Sequence, residues 1–434
     1  MKGEIQPAGR LLTTQELKKI GLTPQQAQAL GAVRLKGENE QGRCQRCGAV
    51  LTDPASCPLC RASHGWCEAC ANMGLITSCT DLWLFPAGEL TPPQPAFKVK
   101  LDFTLTPFQK RAAAGILDWL RFSPEKQALL WAACGAGKTE VIFPALALTL
   151  NRGQRALLAV PRREIVVDLQ ERIKKAFPAV DLTFHYGGQP ELARTGALVV
   201  ATTHQVLRFR HCFALVIVDE VDAFPYRQDE RLELGVERSL SPGGKMLTMT
   251  ATPDLKDVER RRQARTLFYL PLRHHGQPLP EPEVLPDSRE ELLLCLKQAG
   301  PWLVFVASVR EARELSNWLK EQGIAASGVW AADPAREEKI AALKTGQLQA
   351  LVTTTLLERG ITIPGVNVIV WRADRERIFE RAALIQISGR VGRTADRPGG
   401  RVIWLAAQQT GAMREALESI RYLNRIGREG EGNG

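Results

Sequence analysis

The chain of 434 residues lacks any apolar run approaching the ~18 residues of a membrane span. No signal-peptide pattern precedes its first expected helix. Both absences argue against a helical span, and the expectation is a protein made and kept in the cytoplasm. An acidic excess is also missing: Lys and Arg number 57 against 47 Asp and Glu, a net charge of +10. A polyanion therefore suits this chain as a partner. The basic excess sits in clusters (Arg162, Arg163, Arg260, Arg261, Arg262, Arg265) rather than in one disordered tail. No internal sequence repeat is present, and the length is too great for one core, so two or three domains are expected.

What is present begins with Ala132–Thr139 (AACGAGKT), which follows the apolar run Ala128–Ala133 and leads into a helical stretch from Glu140. Strand, Gly-rich turn and helix are the setting of a P-loop. Gly135 and Gly137 let the backbone N–H groups of Cys134, Ala136 and their neighbours curl around phosphate oxygens, and the helix N-terminus at Glu140 adds a favourable dipole. Lys138 is expected to reach the β- and γ-phosphates, and Thr139 to ligate magnesium. About 80 residues on, Asp219–Asp222 (DEVD) ends the fully apolar run Ala214–Val218, the pattern of a central parallel strand. A carboxylate there faces the edge where open α/β sheets bind ligands. Asp219 is expected to hold the water shell of magnesium, and Glu220 to orient and activate the attacking water. The chain reads as an ATPase.

Seven of the ten cysteines lie between Cys44 and Cys79, as Cys44-x-x-Cys47, Cys57-x-x-Cys60 and Cys67-x-x-Cys70 with Cys79 left over. In a reducing compartment this spacing reads as zinc rather than disulfides. Three pairs are one too many for a single tetrahedral ion. The preferred set is Cys44, Cys47, Cys67 and Cys70. The competing set is the first two pairs, with Cys57 and Cys60 otherwise forming a second site that recruits Cys79 or His64. Cys134, Cys212 and Cys295 sit in or beside apolar runs and read as buried small residues.

The fold class is α/β. Residues 1–40 read as a helical region, with Thr13-x-x-Glu16 and Thr23-Pro24 as helix starts, and 41–84 as the zinc-binding module. The proline-rich stretch Phe85–Pro95 reads as a linker. A parallel-sheet domain is expected over 98–272, with strands at Ala128–Ala133, Ala156–Val160, Ala197–Ala201, Ala214–Val218 and Met246–Thr250. A joint at Pro271–Pro286 then leads to a second such domain over 287–426, with strands near Trp302–Val306, Leu351–Thr355, Val366–Trp371 and Arg401–Leu405. The tail Gly427–Gly434 reads as flexible. Only the first half has a P-loop. The second ends in Gln386-x-x-Gly389-Arg390-x-Gly392-Arg393, and two arginines three apart on a helix would share a face and reach one anion, as arginine fingers do.

CGAGKTE, DEVD, Thr250-Ala251-Thr252-Pro253 and the Gln386–Arg393 segment occur in this order in DEAD/DEAH-type helicases, which the chain resembles over most of residues 100–405. That resemblance implies two tandem RecA-like domains. With the cysteine pairs, Ala201-Thr202-Thr203-His204-Gln205, DEVDAFPY (219–226), RHHGQPLPEP (273–282) and TTTLLERGITIP (353–364), nearly the whole chain is similar to the ComFA family, the DNA-uptake ATPases of naturally transformable Gram-positive bacteria. The resemblance implies ATP, magnesium and zinc as cofactors and single-stranded DNA as substrate. It further implies competence and DNA-processing proteins as partners, peripheral contact with a membrane DNA channel at the inner face of the membrane, and room for a homo-oligomer.

Carried over residue by residue, Gln109 matches a glutamine that reads adenine, and Arg359 and Gly360 match a segment touching nucleotide and phosphate backbone. Thr362 stands where many relatives have aspartate. Ile387 replaces the first arginine of the last motif, which leaves Arg390 and Arg393 as finger candidates and fits ComFA and PriA-like proteins better than DEAD-box RNA helicases. Strand contacts are expected at strand ends: Arg162, Arg163, Gly187, Thr202, Thr203 and His204 in the first domain, Ser308 and Thr354 in the second. The other two readings are a PriA-like restart or repair helicase and an ATP-gated scaffold containing zinc. A short region ahead of the motor argues against the former, and intact Lys138, Glu220 and Arg393 against the latter.

Overall fold

The computed structural model describes residues 5–53, 55–57, 60–94, 96, 98–188, 192–227, 229–354 and 363–431. Among them no helix is long and apolar enough to cross a membrane.

The chain opens with β1 (Leu11–Thr13), α1 (Thr14–Lys19), α2 (Pro24–Ala29) and β2 (Val33–Lys36). The cysteine segment follows with the two-residue strands β3 (Ala55–Ser56) and β4 (Ser63–His64), and β5 (Asp81–Leu84) closes it. Both expected helix starts are capping boxes. The expectation of a purely helical 1–40 is corrected, because β1 and β2 flank β5 in an antiparallel sheet of order β1-β5-β2. Three- and four-residue strands are too short to carry a period-2 signal, and their partner lies beyond the cysteines. The N-terminal arm and the cysteine segment are thus one unit.

Next come α3 (Pro107–Phe122), β6 (Gln127–Ala132), α4 (Lys138–Asn151), β7 (Ala156–Val160), α5 (Arg163–Ala176), β8 (Leu182–His185), β9 (Leu198–Thr202), α6 (Thr203–Val206), β10 (Phe213–Asp219), α7 (Glu230–Ser239), β11 (Leu240–Thr250), α8 (Leu255–Gln263) and β12 (Leu267–Leu270). Their seven strands form one parallel sheet in the order β12-β6-β11-β10-β7-β9-β8. The second half contributes β13 (Glu283–Pro286), α9 (Arg289–Leu296), β14 (Trp302–Val306), α10 (Val309–Glu321), β15 (Ala326–Val329), α11 (Arg336–Lys344), β16 (Ala350–Thr354), β17 (Asn367–Trp371), α12 (Arg381–Ser388), β18 (Val402–Ala406) and α13 (Gly411–Glu431). Its parallel sheet has the order β13-β18-β17-β14-β16-β15. Every strand that the sequence announced is present. Within the two parallel sheets, the four it did not announce, β8, β12, β13 and β15, are the sheet edges. Edge strands need no continuous apolar run, so LTFH, EVLP and ASGV gave no strong signal, and LFYL, although apolar, is only four residues long. One of them, β13, takes the last four residues of the expected joint.

The tail expectation is corrected for 427–431, which belong to α13, while 432–434 lie outside the described residues. A Cβ at Gly427 would lie 2.4 Å from Leu272, and one at Gly430 would lie 2.5 Å from Phe108. These glycines let the last helix lie close against the first domain. There Tyr422 stacks on Trp131 with ring centroids 5.3 Å apart. Asn424 exchanges two hydrogen bonds with the backbone of Leu279, at 3.0 and 2.9 Å.

The N-terminal unit is fixed to the first domain by a buried charge cluster. Glu16, in the α1 capping box, accepts from Arg46 at 2.6 Å and from Arg208 at 3.0 Å. Both guanidiniums also donate to the Met73 carbonyl. All three side chains are nearly fully buried. Burial raises the Glu16 pKa, but the two arginines outweigh it and set the net direction downward. A carboxyl depressed in the fold contributes stability that is present above the unfolded value, about pH 4.3, and is lost as pH falls through the folded value. Glu16→Gln leaves two buried cations short of their partner, which costs on the order of 3–5 kcal/mol. Thermal melts of both forms between pH 7 and 3 should show the variant lower at neutral pH and the gap closing toward acid.

Candidate nucleotide site and interdomain contacts

The P-loop occupies the turn between β6 and α4, with Gly135 and Gly137 at φ +82° and +72°. Lys138 starts α4, two residues earlier than expected. Its Nζ lies 2.9 Å from Asp219 Oδ1 at the C-terminal end of β10. Burial acts to lower the Lys138 pKa, yet the Asp219 and Glu220 carboxylates outweigh it and keep the ammonium charged. Glu220 has φ +51°, the left-handed region, and its N–H donates to Asp219 Oδ1 at 2.8 Å. A non-glycine residue held there stores roughly 1–2 kcal/mol of strain. Thr139 and Asp219 are the residues that would hold magnesium. The buried carboxylate beside the P-loop lysine suits a hard cation, which would supply charge neutralisation at the phosphates.

Gln109 is spent on supporting the loop. Its Oε1 caps α3 by accepting from the Thr106 N–H at 2.9 Å, and its Nε2 donates to the Ala136 carbonyl at 3.0 Å. The Glu140 side chain accepts from Arg172 Nε on α5 at 3.1 Å, which holds the first turn of α4 against α5.

Residues the sequence did not mark as a site join the two domains. The Gln386 side chain on α12 accepts from Cys134 Sγ in the P-loop at 3.4 Å and donates to Asp222 at 3.2 Å. Asp222 also accepts from Thr250 Oγ1 at 2.6 Å, and Thr250 Oγ1 accepts from the Thr252 N–H at 2.9 Å. One amide thus touches the P-loop, the DEVD segment and, through Asp222, the Thr250–Thr252 segment. Around it, His274 donates to the Gly135 carbonyl at 3.1 Å, while His275 (3.0 Å) and Arg273 donate to the Gly392 carbonyl. Arg273 is 1 % exposed, and burial brings its pKa down to about 10. The RHHG signal was in the sequence as a resemblance, but nothing in it said which atoms it would hold.

The expectation of two arginines on one helical face is corrected. Helix α12 stops at Ser388 with Gly389 as its cap, and Arg390 and Arg393 lie on the turn that follows, where Gly392 has φ +65°. Arg390 is buried, whereas Arg393 is half-exposed and its Nε donates to the Gly389 carbonyl at 3.0 Å. The positive charge of Arg393 is felt at Cys134, where burial nevertheless pushes the thiol pKa up. Arg359 and Gly360 lie outside the described residues.

The expected strand contacts fall into two groups, each at the C-terminal edge of its sheet. Arg162 and Arg163 follow β7, and Thr202, which ends β9, pairs in register with Val160 of β7. The Arg163 guanidinium sits 5.3 Å from the Tyr186 ring centroid, next to exposed Gly187. His204 is exposed on α6. In the second sheet, Ser308 caps α10 after β14, and Thr354 ends the adjacent β16. The hydroxyls of Thr203 and Thr354 are buried without a hydrogen-bond partner among the described residues.

Cys44, Cys47, Cys67 and Cys70 are buried, and their sulfurs all lie within 4.8 Å of one another. The Sγ separations Cys44–Cys70 and Cys47–Cys67 are 3.9 and 3.4 Å. A zinc ion with Zn–S of about 2.3 Å implies edges of about 3.8 Å, so the donor set fits zinc. The competing set of the first two pairs is corrected, because Cys57 and Cys60 group with Cys79 instead. His64 is in neither group.

With this geometry in place, the comparisons agree with it. The DEAD/DEAH box helicase family matches residues 106–260, and the Helicase conserved C-terminal domain matches 287–395. The fold and site define an ATP-hydrolysing enzyme of helicase type. Competence protein ComFA of Streptococcus pneumoniae is 34% identical over 446 residues, covering 98% of this chain and 99% of that one. Competence protein ComFA of Bacillus subtilis is 33% identical over 404 residues, covering 88% and 86%. The chain belongs to the ComFA family. Among solved structures, S. cerevisiae Dbp5 bound to RNA and ADP BeF3 shares the fold, with a TM-score of 0.52 at 20% identity over 74% of this chain and 88% of that one.

A Cβ at Gly389 would lie 2.4 Å from Cys134 Cβ, a stiff neighbour rather than a side-chain tip. Gly389→Ala should therefore wedge the domains apart and lower ATP turnover, with far-UV circular dichroism unchanged. Glu220→Gln should lower kcat by roughly 10²–10⁴ with nucleotide affinity retained. Lys138→Ala should weaken nucleotide binding itself. Fluorescent-nucleotide titration beside phosphate release separates the three.

Proposed function

We propose that this helicase-family motor, which couples ATP hydrolysis to nucleic acid, translocates on single-stranded DNA and drives uptake of transforming DNA. The observation that carries the reading is the Gln386 amide, which ties P-loop, DEVD and second domain into one network. Any change at the phosphates that moves Cys134 or Asp222 moves α12 with it, and α12 belongs to the sheet whose strand ends carry Ser308 and Thr354. Lys138 would exchange Asp219 for phosphate oxygens when nucleotide enters. Glu220 would orient the attacking water, and Arg393, at the rim of the P-loop, would meet the charge developing on the γ-phosphate. Repositioning one set of strand ends against the other during each turnover gives a step along a single strand. The choice of DNA and of competence is supported by the full-length similarity to two competence proteins. A zinc ion held by Cys44, Cys47, Cys67 and Cys70 would cross-link the N-terminal unit.

Phosphate release measured with no nucleic acid, single-stranded DNA, duplex DNA and RNA tests this. Stimulation by single-stranded DNA, absent in Glu220→Gln, is the expected result. Preferential stimulation by RNA, or turnover indifferent to nucleic acid, would overturn it.

A further inference from the structure

Outside the four-cysteine cluster, Cys57, Cys60 and Cys79 form a second group with sulfurs within 4.8 Å of one another. Cys79 Sγ lies 3.6 Å from Cys57 Sγ and 3.5 Å from Cys60 Sγ, close to the ~3.8 Å edge of a tetrahedral zinc–thiolate site. Its backbone repeats that of the first cluster. Cys44 N–H donates to the Ala49 carbonyl and Gly48 N–H to the Cys44 carbonyl, at 2.7 and 2.8 Å. Likewise Cys57 N–H donates to the Ala62 carbonyl and Arg61 N–H to the Cys57 carbonyl, both at 2.8 Å.

The residue after each second cysteine is left-handed: Gly48 at φ +80° and Arg61 at +64°. Glycine adopts that conformation freely and arginine does not, so the knuckle shape is kept at Arg61 although the local sequence resists it. The third sulfur is oriented from behind. Buried Thr77 places its hydroxyl 3.2 Å from Cys79 Sγ, and its N–H donates to Thr80 Oγ1 at 2.8 Å. A hydroxyl bonded to a metal-ligating thiolate is the usual outer support of such a site.

We infer that Cys57, Cys60 and Cys79 bind a second zinc ion with three thiolates. No fourth Cys, His, Asp or Glu joins the group among the described residues. Cys57 is buried, Cys79 half-buried and Cys60 exposed, so the ion sits at the surface. Its fourth position is open to water or to an exchangeable donor, unlike the closed and buried first site.

Metal content of the full chain, purified with a non-thiol reductant and with zinc supplied, tests the inference. The expected result is about two zinc ions per chain, falling to about one in Cys60→Ser and in Cys79→Ser. Cys60 is exposed, so its substitution leaves the core untouched. In the cobalt-loaded protein, the thiolate charge-transfer absorbance should fall to about four-sevenths when Cys57, Cys60 and Cys79 are all serine, as seven thiolate ligands become four. Added imidazole should shift the cobalt d–d bands of the wild type and not of Cys60→Ser. One zinc per chain, unchanged by Cys60→Ser and Cys79→Ser, would overturn the second site, as would a Cys57–Cys79 disulfide found by mass spectrometry after alkylation. Loss of zinc only in Cys44→Ser or Cys67→Ser would leave the first site standing alone, while loss only in Cys60→Ser would remove the first and keep the second.

Discussion

The Gln386 side chain sits where the two halves of the molecule must agree. An amide offers one acceptor and one donor group in fixed geometry. Here the acceptor meets a thiol of the P-loop and the donor meets the last carboxylate of DEVD. Both bonds cross from α12 to the first domain, the Cys134 bond buried and the Asp222 bond partly so, and an unmet buried amide costs roughly 1–3 kcal/mol. The arrangement of α12 is thus conditional on Cys134 and Asp222 lying at one particular separation. Gly389 follows from that closeness, since a Cβ there would lie 2.4 Å from Cys134 Cβ, whereas at Gly392 a Cβ would first meet the Pro398 carbonyl of its own domain at 2.1 Å and then the Arg273 guanidinium at 2.7 Å.

A second constraint acts where the N-terminal unit meets the first domain. Arg46 lies between the zinc-type ligands Cys44 and Cys47, and its guanidinium shares Glu16 and the Met73 carbonyl with Arg208. Arg208 also donates to Gln205 Oε1 at 2.6 Å. Gln205 belongs to α6, the short helix that carries Thr203 and His204. The cysteine knuckle and the strand-end helix therefore share one buried charge cluster. Such clusters are weak sources of net stability, because desolvation offsets attraction. Their effect is on geometry: each guanidinium accepts only a planar, hydrogen-bonded placement, so the position of the knuckle constrains the position of α6.

Much of this was legible in the sequence, for identifiable reasons. Central parallel strands are buried on both faces and announce themselves as unbroken apolar runs, which is why Ala156–Val160 and Trp302–Val306 were read to the residue. The edge strands β8, β13 and β15 have a neighbour on one side only and carried no such signal, and the apolar run of β12 is only four residues long. P-loop and DEVD were readable because phosphate chemistry restricts the residue types at each position. The interdomain contacts of Asp222, Gln386 and the Arg273–His275 turn were not read, because those partners lie more than 100 residues away and a hydrogen bond across that separation leaves no local pattern. The arginine pair failed for the opposite reason: spacing implied a helix, and two glycines ended it.

The same logic orders the cysteines. Pairing by sequence proximity would have joined Cys44 and Cys47 to Cys57 and Cys60. The fold instead interleaves them: the third pair returns to the first, and Cys79 returns to the second. An interleaved arrangement makes the two loops cross, so a metal held by one group would restrict the path of the chain that forms the other. It also separates the two groups in kind. The inner one is fully buried and bolted through Arg46 to the motor, whereas the outer one is partly open to solvent. A segment of fewer than forty residues, with little apolar core of its own, would depend on such cross-links for its shape. The inner group then sets how the N-terminal unit meets the first domain, and the outer group remains available to whatever approaches from solvent.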